Sequence, residues 1–317
     1  MTPAATTVNS LQERSLAERL QPRIAIEERF KKKRRRRRHK NFLFRNERKL
    51  IRPVLKLALI LTGLYKRGLR NALSPVIRNV ELRFPNLPAG FDGYRILHLS
   101  DLHLGGFPGL AEAITARLRE LRADLCVMTG DYRYEDDGPC EVVYPPMRRI
   151  LDSISAEDGV FGILGNHDES PIAFALEDMG MRMLVNDAVE LTRGRDSVWL
   201  AGVDDPFDFA CDDLPGSLAS VPSEGFKILL AHSPQLFKEA AAVGVNLYLC
   251  GHTHGGQIRF PIVGSLRDNC PCPKEFTYGQ WSYRNVRGYT SPGTGSSGLP
   301  VRFNCPPEIV IVTLRRD

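Results

Sequence analysis

Short apolar runs that end in polar residues recur along the central part of the chain. Five of them lie at residues 95–99, 125–128, 160–164, 226–230 and 245–249 of the 317-residue sequence. Their length and their content of Leu, Ile, Val and Phe predict buried β-strands. Because each run stops at a cluster of acidic, amide or imidazole side chains, this pattern constrains both the fold and the place of a functional site.

Helical patterns separate some of these runs. The apolar residues of 110–121 fall on one face of a predicted helix, and residues 233–243 form a second predicted helix that Ser233 caps. Strands that alternate with helices indicate an α/β fold. Ligands in such folds bind beyond the carboxyl ends of the strands, so the polar clusters there are candidates for a functional site.

The predicted strand ends carry a mixed set of carboxylate, amide and imidazole side chains. The set is Asp101, His103, Asp131, Asn166, His167, Asp168, His232, His252 and His254. Five of the seven histidines of the chain belong to it. Nitrogen and oxygen donors without a thiolate suit Mn, Fe or Zn better than a structural zinc site. One such histidine could be an ordinary core residue, but the repetition at five strand ends predicts a metal centre.

The order and spacing of these residues resemble the calcineurin-like metallophosphoesterases. The matching motifs are Asp101-x-His103, Gly130-Asp131, Gly165-Asn166-His167-Asp168, His232 and Gly251-His252-Thr253-His254. The resemblance runs over residues 94–315 and implies a β-sandwich flanked by helices, with two divalent metal ions at one edge. It implies that Asp101, His103 and His254 hold the first ion, that Asn166, His232 and His252 hold the second, and that Asp131 bridges both.

The same resemblance implies hydrolysis of a phosphoester. Two cations about 4 Å apart can share a hydroxide, aim it at phosphorus and neutralise the charge that grows on the phosphoryl oxygens. By family analogy, His167 protonates the leaving oxygen and Asp168 orients its imidazole. Arg133 could contact the phosphate, and an exposed turn arginine is the equal alternative. Manganese is the expected metal, with zinc and iron as alternatives.

Two further segments resemble a bacterial, membrane-associated subgroup of that family. They are residues 251–261 (GHTHGGQIRFP) and 298–308 (GLPVRFNCPPE). The subgroup includes phosphodiesterases and UDP-2,3-diacylglucosamine pyrophosphatases of lipid A synthesis. We therefore expect a phosphorylated or lipid-linked substrate, with UDP-2,3-diacylglucosamine as the leading candidate. The alternatives are a broad-specificity phosphodiesterase, phosphatase or nuclease and, from another class, a non-catalytic metal-binding scaffold.

Charge divides the chain into a basic arm and an acidic body. Residues 1–70 hold 21 Lys and Arg against 5 Asp and Glu, whereas residues 71–317 hold 22 against 32. The formal net charge of +6 is the sum of the positive charge of the first part and the negative charge of the second. We expect a basic, helical, membrane-associating extension over residues 1–80 and a metallophosphoesterase domain over residues 81–317. The two parts should have different partners.

The arm combines a helix signal, a cationic run and an apolar segment. Ser10 and Glu13 have capping-box spacing, ahead of leucines and an isoleucine that recur every fourth residue. Nine Lys or Arg lie between Lys31 and Lys40. The uncharged stretch 57–65 has 9 residues, whereas a helix needs about 20 apolar residues to span a bilayer. An interfacial position is therefore the better prediction.

An anionic membrane surface is the partner that these features predict for the arm. The candidate membrane-binding residues are Lys31, Arg34, Arg36, Lys56, Leu57 and Leu61. Because the sequence shows no clear secretory or twin-arginine signal, the expected location is the cytoplasmic face of the inner membrane. The alternatives are a solvated tail before a helix that packs on the body, and binding of nucleic acid through its phosphates.

Two other features are not expected to carry chemistry. Residues 293–298 fit the dinucleotide pattern G-x-G-x-x-G, but Pro300, Pro306 and Pro307 oppose the helix that this pattern requires. We expect a glycine-rich loop near the metal centre, or a simple turn. The seven cysteines are odd in number and irregular in spacing, which favours thiols in a reducing compartment.

Overall fold

Two β-sheets pack against each other and are covered by helices on their outer faces. The structure, a computed structural model, describes residues 6–11, 14–38, 46–265 and 270–317, with the backbone alone at 33–38 and 46–52. Within these residues, the first sheet has seven strands. In spatial order they are β1 (Thr6–Ser10), β7 (Asp187–Arg193), β8 (Asp196–Gly202), β9 (Phe226–Leu230), β10 (Leu247–Cys250), β14 (Val286–Thr290) and β13 (Gly279–Tyr283).

The second sheet has six strands in the described part of the chain. In spatial order they are β2 (Val76–Phe84), β15 (Glu308–Arg316), β3 (Arg95–Leu99), β4 (Leu125–Met128), β5 (Val160–Gly162) and β6 (Arg182–Met183). A small ribbon pairs β11 (Arg259–Phe260) with β12 (Gly264–Ser265).

The helices are α1 (Leu16–Arg19), α2 (Gln21–Arg38), α3 (Asn46–Leu61), α4 (Leu64–Ala72), α5 (Leu110–Leu118), α6 (Tyr144–Leu151), α7 (Ser170–Asp178), α8 (Leu214–Ser217) and α9 (Phe237–Ala242). Short 3-10 helices lie at Ala89–Phe91, Cys140–Val143, Pro234–Leu236, His254–Gly256 and Lys274–Phe276. No helix among the described residues is both long enough and apolar enough to cross a membrane.

The main core lies between the two sheets. Val127 on β4 and Ile228 on β9 are fully buried in one apolar cluster that draws on both sheets. A second cluster packs α5, α6 and α7 on the outer face of the six-stranded sheet, and a third packs α9 on the outer face of the other sheet. The predicted α/β class and the β-sandwich flanked by helices are therefore confirmed.

Parallel pairing aligns the carboxyl ends of the predicted strands. Strands β3, β4 and β5 run parallel in one sheet, and β8, β9 and β10 run parallel in the other. All five predicted strands are present, although the third ends earlier, at Gly162, and the fifth runs from Leu247 to Cys250. The predicted helix over 233–243 is a 3-10 turn followed by α9, and the Ser233 side chain makes no capping hydrogen bond.

The first part of the basic arm is built into the body. Strand β1 pairs antiparallel with β7, with Thr7 opposite Thr192. The capping box lies at Ser15 and Glu18 rather than at Ser10 and Glu13, because Ser10 ends a strand. Glu13 is outside the described residues.

The proposed boundary between residues 80 and 81 falls inside a strand. Strand β2 runs from Val76 to Phe84 and pairs in parallel with β15, with Val80 opposite Val312. Charge composition changes along the chain near this point, but the backbone pairing of the second sheet continues across it.

Candidate metal centre

The carboxyl ends of the parallel strands place the predicted residues around one edge of the sandwich. Asp101 and His103 follow β3, Asp131 follows β4, His232 follows β9, and His252 follows β10. Their side chains are nine-tenths or more buried. The topology therefore brings together residues such as Asp101 and His252, which are 151 positions apart in sequence.

The backbone at these strand ends adopts an unusual conformation. Positive φ angles occur at five of the predicted ligands, namely Asp101 (50°), His103 (45°), Asp131 (57°), His252 (71°) and His254 (54°). Such angles are uncommon for residues other than glycine, and they cluster at functional sites where the surrounding structure maintains them. Here they turn successive side chains toward the same edge of the sandwich.

One group of donors is formed by Asp101, His103 and His254. The two Nε2 atoms of His103 and His254 lie 3.0 Å apart. His254 Nε2 is 3.4 Å and His103 Nε2 is 4.0 Å from Asp101 Oδ1. Atoms that bind one ion at about 2.0–2.2 Å are separated from each other by such distances.

A second group is formed by Asn166, His232 and His252. Asn166 Oδ1 lies 3.0 Å from His232 Nε2 and 3.0 Å from His252 Nδ1. The two ring nitrogens are 3.3 Å apart. One amide oxygen and two imidazole nitrogens therefore converge on a common point, as the resemblance implied.

Asp131 lies between the two groups. Its Oδ2 is 3.6 Å from His103 Nε2, whereas its Oδ1 is 3.4 Å from His232 Nε2. Gly165 is needed beside it, since a Cβ on that residue would come within 2.3 Å of Asp131 Oδ1. The carboxylate thus presents one oxygen to each group, which is the geometry that a bridging ligand requires.

Backbone carbonyl groups fix the orientation of two of the imidazole rings. His103 Nδ1 lies 3.0 Å from the Arg133 carbonyl oxygen, and His232 Nδ1 lies 2.7 Å from the Thr129 carbonyl oxygen. A ring that donates from Nδ1 keeps the lone pair of Nε2 free for a metal. The Nε2 atom of His103 lies near a carboxylate oxygen of Asp131, and the Nε2 atom of His232 lies near the amide oxygen of Asn166. Each group of donors therefore fits one divalent ion.

Burial and mutual charge shift the pKa values of these groups strongly. Burial raises the pKa of Asp101 to about 6 and lowers the pKa of His103 to about 3. Burial opposes a charge on His232, but the Asp131 carboxylate raises the pKa of its imidazole to about 10. Burial also disfavours the charged form of Asp131, and the adjacent imidazoles of His232 and His167 nevertheless hold its pKa well below the usual range. Bound cations would take over this compensating role.

His167 lies at the open side of the two groups. Its Nε2 is 4.0 Å from Asp131 Oδ2, and its Nδ1 is 2.9 Å from the Tyr134 carbonyl oxygen. The Tyr134 carbonyl therefore orients this ring. Asp168 was expected to orient the His167 ring, but its carboxylate instead accepts hydrogen bonds from backbone N–H groups on two loops.

Arg133 is a buried residue and not an exposed turn arginine, and it lines the pocket beside Asn166 and His167. Its side chain is 1% exposed. The guanidinium donates to the carbonyl oxygens of His167 and Gly138 and lies 3.4 Å from Glu169. These contacts bind it to the loop that carries His167, so it supports the site from within the protein.

Sequence reasoning missed residues that support the predicted ligands. Asp208 accepts a 3.0 Å hydrogen bond from Asn166 Nδ2 and thereby turns Asn166 Oδ1 toward the histidines. The glycine-rich loop lies against the first group, since Gly295 N donates to the Asp101 carbonyl oxygen. The buried Arg302 donates to the Gly295 carbonyl oxygen and holds that loop. The described residues 299–317, which follow the loop, contain no helix.

The predicted membrane residues lie on two separate helices. Lys31 is on α2, where its Nζ is 2.8 Å from Glu169 Oε2, close to the metal centre. Lys56, Leu57 and Leu61 are on α3 and are exposed. Arg34 and Arg36 also belong to α2, but their side chains are outside the described residues.

Comparison with known proteins gives a family match over the region that carries these ligands. The profile described as Calcineurin-like phosphoesterase matches residues 94–256. The uncharacterized metallophosphoesterase YkuE of Bacillus subtilis is 33% identical over 239 residues, which are 72% of this chain and 82% of YkuE.

Two further relatives show the range of similar proteins. The phosphodiesterase YaeI of Escherichia coli is 29% identical over 70% of this chain and 82% of its own length. A zebrafish (Danio rerio) protein named transmembrane protein with metallophosphoesterase domain is 31% identical over 82% of this chain and 62% of its own length.

Proposed function

The chain belongs to the calcineurin-like phosphoesterase family, and from this premise we propose that it hydrolyses a membrane-linked pyrophosphate. As a member it is a metal-dependent phosphoesterase. The leading candidate substrate is UDP-2,3-diacylglucosamine, which water would cleave to UMP and 2,3-diacylglucosamine 1-phosphate. The observation that carries the proposal is the pair of donor groups on either side of Asp131, next to a helix of the basic arm.

The proposed assignment of roles follows the two groups of donors. Asp101, His103 and His254 would hold one divalent ion, and Asn166, His232 and His252 the other, with Asp131 shared. What two bound cations supply is activation of water and neutralisation of charge on the phosphoryl oxygens. His167, held at Nδ1 by the Tyr134 carbonyl, would deliver a proton from Nε2 to the leaving oxygen. Manganese is the proposed metal.

The pocket beside the metal centre supports a substrate that also contacts the arm. Phe30 and Lys31 of α2 line this pocket together with Asn166 and His167. Phe30 is partly exposed and lies 5.6 Å from the Phe209 ring, measured between centroids. The full lining holds two cations, two aromatic rings and five acidic residues. A phosphate at the metals would therefore lie near Lys31, Arg133 and the two rings, and these groups favour a phosphate that is joined to a larger group.

The exposed apolar face of α3 supports contact with a lipid surface. Leu57 is 56% exposed and Leu61 is 78% exposed, and Val54 and Ile60 of the same helix are also exposed, as is Leu64 at the start of α4. Lys56 lies between them on the helix surface, where its charge could reach lipid phosphates. We propose peripheral attachment to an anionic membrane, on the cytoplasmic face of the inner membrane.

The substrate is tested by mass spectrometry of reaction products. Protein reconstituted with manganese is incubated with UDP-2,3-diacylglucosamine in mixed micelles or with bis(p-nitrophenyl) phosphate. The proposal predicts UMP and the lipid monophosphate, and predicts that Asp131→Asn abolishes both activities. Rapid cleavage of the simple diester without cleavage of the lipid would disprove the lipid assignment. Full activity of Asp131→Asn would disprove the catalytic role of the site.

Membrane attachment is tested by sedimentation with vesicles that contain phosphatidylglycerol. The double variant Leu57→Asp, Leu61→Asp is expected to lose binding. Ile262→Asp is the matched control, because Ile262 is also an exposed apolar residue but lies in the loop between β11 and β12. If the double variant bound the vesicles as well as the Ile262→Asp control does, insertion of α3 would be contradicted.

A soluble phosphodiester is the second candidate substrate. It is favoured by the similarity to a protein named phosphodiesterase YaeI. If a nucleic acid supplied this diester through the cationic run, replacement of the five arginines 34–38 by glutamine should abolish binding of the nucleic acid, while β1 and the buried Arg23 stay in place. Vesicle binding without nucleic-acid binding would support the membrane proposal instead.

A further inference from the structure

Helix α2 belongs to the basic arm, yet it contributes a fully buried arginine to the surroundings of the metal centre. Arg23 is 0% exposed. Its Nη2 donates 2.6 Å hydrogen bonds to the carbonyl oxygens of Gly165 and Asp168. These two residues flank Asn166 and His167, so one guanidinium nitrogen spans both ends of the loop that carries a predicted ligand and the predicted acid.

The other side of Arg23 contacts a second loop. Its Nη1 donates to the Asp204 carboxylate, and its guanidinium carbon lies 3.8 Å from the centre of the Phe209 ring. Asp205 stabilises the same loop by accepting hydrogen bonds from the N–H groups of Phe207, Asp208 and Phe209. Arg23 therefore lies where the 165–168 loop meets the 204–209 loop.

The two loops together determine where the Asn166 side chain points. The first loop supplies the residue itself, and the second supplies Asp208, whose carboxylate accepts from Asn166 Nδ2. If the loops separate, Asp208 no longer directs Asn166 Oδ1 toward His232 and His252. Partners of metal ligands commonly change metal affinity by about 10- to 100-fold when they are removed.

We propose that Arg23 is a positioning residue that holds Asn166 for the second metal ion. The basic arm, which contains Arg23, would then be required for binding of that ion. The proposal rests on the proposed two-metal function. Neighbouring contacts of α2 act in the same direction, since Glu27 Oε1 accepts from Ser170 N at 2.7 Å and Lys31 pairs with Glu169. Helix α2 therefore contacts both the 165–168 loop and the start of α7, which follows that loop.

The geometry requires an arginine rather than any cation. A planar guanidinium can donate to two carbonyl oxygens and to a carboxylate at the same time, in fixed directions, whereas an ammonium group is a compact charge without this fork. Arg23→Lys retains a charge for Asp204 but is expected to lose the contacts that join the loops. Arg19→Lys is the matched control, since Arg19 is also a buried arm arginine but pairs with Asp187 outside the centre.

The experiment measures manganese binding by titration calorimetry on the full chain, together with melting temperature. Wild type and Arg19→Lys are expected to bind two ions, whereas Arg23→Lys should bind one with its affinity retained and the other at least 10-fold more weakly. For Arg23→Lys, the rate of phosphodiester hydrolysis should be closer to that of wild type at saturating manganese than at low manganese. Arg23→Lys that binds both ions as wild type does would overturn the positioning role.

A second variant covers the case in which Arg23→Lys folds poorly. Arg23→Met combined with Asp204→Asn removes Arg23 together with the carboxylate that it contacts most closely. Its other ion-pair partner, Glu27, keeps its hydrogen bonds from Ser170. The double variant should show the same selective loss of one ion, and equal binding of both ions would again overturn the proposal. If wild type itself binds fewer than two ions, the two-metal function fails, and the role of Arg23 fails with it.

Discussion

The Asp168 carboxylate holds the backbone of Asp131, because its Oδ2 accepts a 2.8 Å hydrogen bond from the Asp131 N–H. The same oxygen accepts from Gly165 N at 2.9 Å. The other oxygen, Oδ1, accepts from Tyr132 N at 2.9 Å and from Arg133 N at 3.2 Å. One buried side chain therefore ties the loop after β4 to the loop after β5, at the point where the shared ligand leaves the backbone.

Replacement Asp168→Asn should weaken both the fold and the site. An amide offers one acceptor oxygen, so its NH₂ group would face two buried N–H donors that have no other partner. Each unsatisfied buried donor costs about 1–3 kcal/mol, and we expect the free energy of unfolding in urea to fall by about 2–5 kcal/mol. Phosphoesterase activity should fall by about 100-fold or more, because Asp131 moves.

A matched control for this change is Asp213→Asn. Asp213 caps α8 and accepts a hydrogen bond from Gly216 N. Asparagine caps helices about as well as aspartate, so stability and activity should stay near those of wild type. Asp168→Asn with an unchanged unfolding free energy would show that the carboxylate does not support these loops.

The strand-end residues were predictable because their signals are local. Each apolar run and the ligand that follows it lie within about ten residues of sequence, and parallel pairing of β3, β4 and β5 then brings the ligands together. The pairing of β1 with β7 gave no such signal, since Thr7 and Thr192 meet only through the tertiary fold. Charge composition carries no information about such pairing. It therefore suggested a separate arm, although the first part of that arm is a strand of the body.

The supporting contacts were also beyond a reading of the sequence. Asp168 follows His167 directly, which suggested that it orients the imidazole, but its carboxylate turns toward the backbone of the neighbouring loop. Arg23 lies in a strongly basic segment where arginine is usually solvated. Its burial depends on Asp204 and on two carbonyl groups more than 140 positions away.

His167→Gln should reduce hydrolysis to a degree that depends on the leaving group. If His167 protonates the leaving oxygen, a poor leaving group such as a simple alcohol should react about 10²–10⁴ times more slowly in the variant. A p-nitrophenyl leaving group needs little protonation, so its kcat should fall by less than about 10-fold. Paired kcat measurements on the two diesters give the result, and equal losses for both would contradict the role of an acid.

Removal of metal should lower the melting temperature as well as the activity. The proposed ligands are buried carboxylates and imidazoles that lack the compensating cations when metal is removed. With manganese at about 100 times its Kd, each bound ion would add about 2.7 kcal/mol to the free energy of unfolding. Scanning calorimetry of chelated protein should therefore show a lower melting temperature, and manganese should restore it.

Calcium is the control ion for this measurement. It prefers oxygen ligands, whereas four of the seven proposed ligands are imidazoles, so calcium should restore neither stability nor activity. A melting temperature that ignores manganese, or that calcium restores equally, would contradict the assigned donor groups.

His98 should make the protein less stable in mild acid. The ring is fully buried on β3, its Nε2 lies 2.9 Å from Thr129 Oγ1, and burial lowers its pKa to about 3. An unfolded histidine has a pKa of about 6.5, so between these values only the unfolded chain binds the proton. The free energy of unfolding therefore falls as the pH falls from about 6.5, by about 1.4 kcal/mol per pH unit from this residue.

His98→Leu removes the protonation of His98 in the unfolded chain and places an apolar side chain in the core. Urea unfolding at pH 7.5 and pH 4.5 should show that wild type loses about 2–3 kcal/mol more than the variant between the two conditions. Thr129→Val is the control, because it removes the hydrogen bond to the ring but leaves the ring buried and neutral, so its pH dependence should match that of wild type. If His98→Leu and wild type lose the same stability in acid, the buried ring is not a source of the acid sensitivity.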